Sequence, residues 1–201
     1  KIIPGISLEQ GCVIENINEI ENQWINVIEA NVYNEEKINF SLSVESSLPI
    51  DAYCLSNFIT SILNDKRGWT TIVGKEFQVV NYYDADFHIF LANPDTVDEM
   101  CFPLQTNGIY SCRNGNQIIY NYFRWLAGAK DFGLDIATYR LYLINHEVGH
   151  MFGWGHTDCP SQNALAPLMM QQSKTTNGCI PNGWPIYERI TYLYESVDNF
   201  K

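Results

Sequence analysis

Eleven consecutive residues constrain this chain more than any others: His146-Glu147-Val148-Gly149-His150-Met151-Phe152-Gly153-Trp154-Gly155-His156, the pattern H-E-x-x-H-x-x-G-x-x-H. His146 and His150 stand four apart, so on an α-helix of about 3.6 residues per turn both imidazoles project from one face. Glu147 lies about 100° further round, within reach of a water held at the imidazoles yet out of line to be another helical ligand. Gly153 is free to take the left-handed backbone that ends a helix, which lets the chain turn back and bring His156 in from outside. Three imidazoles with an open fourth tetrahedral position form the arrangement of a catalytic rather than a structural zinc ion. A bare H-E-x-x-H occurs by chance on ordinary helices, but the extended pattern uses three of the four histidines in the chain. His88, the fourth, reads as a strand residue rather than a ligand.

One zinc ion held there would lower the pKa of a water from about 15.7 toward about 7. Glu147 would accept the proton and pass it to a leaving amine, so the reaction to expect is peptide-bond hydrolysis without a covalent intermediate. The alternative is a zinc-binding, non-catalytic secreted binding module; a base beside the water is superfluous in such a protein.

Around this motif, hydrophobic periodicity places the other elements. Ile20, Trp24 and Ile28 form an apolar stripe that predicts an amphipathic helix from Ile17 to Ala30, within an N-terminal extension of residues 1–37. Alternation at Ile38, Phe40, Leu42 and Val44 predicts a half-buried strand, and the sequon Asn39-Phe40-Ser41 falls inside it. Asp51 caps a helix through Asn64, Phe77 to Val80 and Asp86 to Leu91 read as strands, and a short helix spans Thr96 to Met100. Ile109 to Cys112 and Gln117 to Tyr122 read as two strands joined by Arg113-Asn114-Gly115-Asn116, where Asn-Gly signals a hairpin. Asp135 caps a largely buried helix from Leu134 to Phe152, and a final helix runs from Tyr187 to Val197. With 46% hydrophobic residues in 201, the chain has ample material for a core.

The extended motif resembles that of the metzincin clan of zinc metallopeptidases, whose signature includes a methionine turn downstream. Ala166-Pro167-Leu168-Met169-Met170 offers that turn, with either methionine able to lie beneath the imidazoles. The words Asn145-His146-Glu147-Val148-Gly149-His150, Cys159-Pro160, Ala166-Pro167-x-Met169, Gln171-Gln172, Gly178-Cys179 and Trp184-Pro185 resemble more closely a family of secreted metzincin-like proteins with no assigned substrate, which favours Met169. This likeness runs from about Val44 to Trp184. It implies an α+β fold: a twisted mixed sheet with backing helices and an active-site helix over a cleft. Residues 38–156 would form the upper subdomain and 157–201 a small, irregular lower one. By the same analogy, Ile109, Tyr110 and Ser111 form a candidate edge strand that pairs with an extended substrate; the alternative is an ordinary hairpin arm. The same analogy would have Tyr187 or Tyr192 support the oxyanion, against packing in the core or on the surface as the default, and Asp158 bond a ligand or cap a turn, against plain solvent exposure.

Twelve basic against 23 acidic residues give a net charge of -11, which disfavours nucleic acid and anionic membranes and leaves a protein or peptide as the partner of what should be a monomer. No run of eighteen apolar residues crosses a membrane, and a signal peptide, absent from this numbering, is read as removed. Six cysteines without C-x-x-C spacing imply disulfides in a secreted, extracellular protein. Order and proximity suggest Cys101–Cys112, Cys159–Cys179 and Cys12–Cys54. For Cys12 a second reading stands: in the matrixin branch of the clan a pro-segment cysteine masks the zinc, although the Pro, Arg and Asp that surround it there are missing here.

Overall fold

Two parallel strands form the middle of the sheet: β2 (Ile38–Glu45) and β4 (Phe87–Ala92) run in register from Phe40 opposite Phe87 to Val44 opposite Leu91. This computed structural model describes residues 10–15 and 22–185. The sheet order is β1-β2-β4-β6-β5, with β1 (Trp24–Asn26) and β5 (Cys112–Asn114) as antiparallel edges and β6 (Gln117–Asn121) parallel to β4. A further strand, β3 (Phe77–Val79), pairs in parallel with the start of β2. The chain is therefore α+β, an open, twisted mixed sheet with helices packed against it.

Alternation along β2 suggested one wet face, yet residues 39 to 44 are all buried. Phe40, Leu42 and Val44 join the main core, shared with Leu55 and Ile59 of α1 (Ala52–Leu63) and with Leu143 and Val148 of α5 (Ile136–Met151). Asn39, Ser41 and Ser43 point to the other face and keep partners, as buried polar groups must. Ser41 Oγ lies 2.8 Å from His88 Nδ1, and Ser43 Oγ donates to Asn26 Oδ1 at 2.6 Å. The sequon's Asn39 is fully buried, with Nδ2 donating to the Asn34 carbonyl and to Asp86. Asp51 caps α1 by accepting from the amides of Tyr53 and Cys54, and Asp135 caps α5 by accepting from Thr138. The short α2 (Trp69–Val73), α3 (Pro94–Cys101) and α4 (Tyr122–Ala127) complete the layers.

Two expectations need correction. Instead of continuing a helix toward Ala30, Trp24–Asn26 is strand β1: Trp24 pairs opposite Glu45, and the Val27 amide donates to the Leu42 carbonyl. Trp24 and Val27 suit a helical stripe, but the edge of β2 offers backbone partners, and the Trp24 ring meets Phe90 edge-on at 5.1 Å. Tertiary pairing thus overrides the local pattern. The strand expected at Ile109 to Cys112 begins only at Cys112. Both the Ile109 and Tyr110 amides donate to the Thr106 carbonyl, and Asn107 and Gly108 have positive φ, so the chain is still turning there. Ser111 Oγ then accepts the Asn121 amide where a ladder carbonyl would stand. Beyond it, β5 and β6 join through the two-residue loop Gly115-Asn116, with Gly115 at φ +60°.

From 157 to 184 the chain has neither α-helix nor β-strand, apart from an isolated bridge between Leu165 and Ile180. The helix expected at Tyr187 to Val197, and with it Tyr187 and Tyr192, lies outside the described residues. Disulfides join Cys12 to Cys54, Cys101 to Cys112 and Cys159 to Cys179, the three pairs suggested by sequence order. With its sulfur bonded to Cys54, Cys12 offers no thiol to a metal. Among the described residues no helix is long and apolar enough to cross a membrane. A thiol reagent applied to the denatured, unreduced protein should label no cysteine, and digestion should release the three linked peptide pairs; labelling at Cys12 would restore the masking reading.

Candidate metal centre

The end of α5 shows why the motif needs its glycine, Gly153. Phe152 is the last residue before the helix opens, and Gly153 adopts φ +82°. The Gly153 amide donates to the His150 carbonyl and the Trp154 amide to that of Gly149, the paired 5→2 and 6→1 bonds of a Schellman motif. This reversal turns the Trp154 carbonyl toward the helix, where His150 Nδ1 donates to it at 2.8 Å. His156 follows, anchored next door by the Thr157 amide on the Met169 carbonyl.

His146 Nδ1 makes the equivalent bond to the Leu168 carbonyl, also at 2.8 Å. A carbonyl can only accept, so Nδ1 of both rings carries the hydrogen and each Nε2 in the neutral ring keeps its lone pair. The ligand nitrogens of His146, His150 and His156 lie within 4.8 Å of one another, with 3.1 Å between Nε2 of His150 and Nε2 of His156. Burial, reinforced by the neighbouring His150, holds His146 down to about 3, and burial lowers His150 and His156 as well. All three are neutral at neutral pH, so protons do not compete for the lone pairs. This cluster can hold a metal ion. Glu147, buried on the same helix and lining the same cleft, has its carboxyl pushed up to about 8 by burial.

Beneath the helix, Pro167 to Met170 forms a turn closed by the Met170 amide on the Pro167 carbonyl. Fully buried Met169 presses against α5 where it has no side chain: a Cβ on Gly149 would come 2.4 Å from Met169 Sδ and 3.1 Å from Trp69 Cζ2. Met170 points instead into a small cluster with Ala166 and the Cys159–Cys179 bridge. Trp69 closes the other flank, its Nε1 donating to the Asn145 carbonyl and its ring meeting Phe152 and Trp154 at 5.1 and 4.7 Å. One turn before His146, Tyr142 lays its ring 5.0 Å from that imidazole and donates its hydroxyl to the Met170 carbonyl.

The cleft over the histidines, about 430 Å³, is lined by residues 104–106 and 110–113 and by Gln171, Ser173 and Lys174. Of the expected edge residues, Tyr110 and Ser111 line it and Ile109 does not. Asp158 is exposed and bonds no ligand, and His88 sits on the opposite face of the sheet, stacked on Tyr82 at 4.0 Å. Trp69, Tyr142, Arg113 and Lys174 were not singled out beforehand. Only Tyr142 had a signal, its spacing of four before His146.

A family model described as "Protein of unknown function (DUF3152)" matches residues 10–181, so the match begins inside the segment read as an extension. No curated protein and no solved structure matches the chain.

Because Met169 occupies the space of a Gly149 side chain, Gly149→Ala should destabilise the fold by about 1–3 kcal/mol through overpacking, less up to about 1 kcal/mol recovered from alanine's better helix propensity. Thermal unfolding of the single and double variants checks this. The loss should shrink in a Met169→Ala background, and an equal loss there would place the strain elsewhere.

Proposed function

We propose that this chain, which belongs to the family described as "Protein of unknown function (DUF3152)", is a secreted, zinc-dependent endopeptidase of the metzincin type. One observation carries the reading: three imidazoles converge through Nε2, two of them locked in that tautomer by carbonyls, beside a buried carboxyl in an open cleft. Zinc fits the donor set better than magnesium or calcium, which take oxygen ligands. Zn–N distances of about 2.0–2.1 Å in a tetrahedron separate the nitrogens by about 3.3 Å, close to the 3.1 Å between His150 and His156. The likeness of H-E-x-x-H-x-x-G-x-x-H and of the Pro167 to Met170 turn to the metzincin signature supports the same assignment. The three disulfides suit an oxidising compartment.

When bound, zinc supplies a Lewis acid that polarises water and the peptide carbonyl. The rest falls to the chain. His146, His150 and His156 hold the ion from one side and leave the cleft side open. Glu147 takes the proton of the attacking water on its carboxylate and delivers it to the departing amine. A pKa raised by burial brings that carboxyl closer to neutral pH, where both transfers must occur. Met169, packed against Gly149, and Tyr142, whose ring lies on His146, keep α5 and its imidazoles from shifting.

The purified protein should carry about one zinc per chain, lost in His150→Ala, and elemental analysis reads both. Glu147→Gln should keep the zinc and the fold but slow cleavage of a diverse peptide library by about 10²–10⁴-fold. If the zinc-loaded wild type cleaves nothing in that library, the chain is a zinc-binding module and not a peptidase.

A further inference from the structure

Charge around the cleft runs against the charge of the chain. Lys and Arg number 12 against 23 acidic residues, yet Arg113 and Lys174 both line the cleft, and Glu147 is the one acidic residue lining it among the described residues. A third cation, Arg124, lies 5.4 Å from the Tyr110 ring, and Lys174 Nζ lies 5.5 Å from the same ring, so two cations share one aromatic residue of the wall. Among the described residues none of the three has a carboxylate within ion-pair distance.

Two carboxylates bonded to loops of the cleft, Asp98 and Asp131, are not among the residues that line it. Asp98 accepts from the Thr106 hydroxyl and the Gly108 amide, pinning one loop. Asp131 accepts from the Thr176 amide and from the hydroxyls of Thr175 and Thr176, pinning the loop that carries Lys174. Two loops of the cleft are thus held in place by acids that do not line it, while Arg113 and Lys174 do. Focused between low-dielectric walls, unpaired cations attract a local negative charge even when the whole molecule is acidic. A long polyanion would meet the rest of a surface of net charge -11 and be repelled.

We propose that the cleft selects acidic peptides, with Arg113 and Lys174 as specificity-determining residues that receive Asp or Glu side chains on the two sides of the bond placed over the histidines. This rests on the peptidase reading, and a binding experiment separates the two. Labelled decapeptides carrying Asp/Glu, the isosteric Asn/Gln, or Lys/Arg around a fixed central bond are titrated against the zinc-loaded Glu147→Gln protein at low and high salt. The acidic peptide should bind about tenfold tighter than its neutral isostere, with the gap narrowing as salt rises. Arg113→Gln and Lys174→Gln should each cut that preference about three- to fivefold while leaving the neutral peptide's affinity within about twofold. Equal binding of acidic and neutral peptides, tighter binding of the basic one, or no measurable binding would overturn the proposal even if the wild type cleaves peptides. Selective binding of acidic peptides that the wild type never cleaves would uphold the cleft and sink the peptidase.

Discussion

The candidate site depends on two hydrogen bonds from imidazole to backbone. By donating Nδ1–H to the carbonyls of Leu168 and Trp154, His146 and His150 are fixed in tautomer and in ring orientation. These bonds also define how the irregular part of the chain must run. Residue 154 has to come back under the helix end, which the left-handed Gly153 allows, and residue 168 has to lie beneath the first turn of the motif. Met169 then has one place to go, against Gly149. The turn from Pro167 to Met170 and the Cys159–Cys179 bridge serve to hold those carbonyls still.

Burial sets the electrostatics. His146 is driven down to about 3 and Glu147 up to about 8 by the same loss of solvent, so each is pushed toward its neutral form. Neutral imidazoles are what a metal requires, and a carboxyl that gives and takes a proton near neutral pH is what a general base requires. A divalent cation between them would pull the carboxyl back toward ionisation, since a bound ion is the largest charge in such a site.

Much of this was legible in the chain. Five residues of the motif prescribe a helix face, a break and a return, and the positions of His146, His150, His156 and Gly153 follow that prescription. The caps Asp51 and Asp135 were legible because their role is local. What escaped depends on distant partners. Trp24 belongs to a strand because the edge of β2 is there to pair with, and nothing within ten residues of Trp24 says so. Ile109 turns rather than extends because Thr106 offers a carbonyl to two amides at once. Trp69 supports the motif across a sequence gap of 76 residues, a distance over which periodicity is silent. The cationic lining belongs to the same group, since Arg113 and Lys174 come together only in the finished cleft.

Asn39 carries a different consequence, for biosynthesis. It is an acceptor for N-linked sugar by its sequence, but in the folded chain its amide is enclosed in a central strand and bonded to Asp86 and Asn34. Oligosaccharide transfer to it can happen only while the start of β2 is still unpaired, and a glycan there would take the amide from Asn34 and Asp86 where β2 meets β3. In a host whose secretory pathway decorates such sequons, transferase and sheet closure compete for the same side chain. The fraction of molecules that leave the cell without sugar at Asn39, read from intact mass, then becomes a clock for how fast the middle of the sheet assembles.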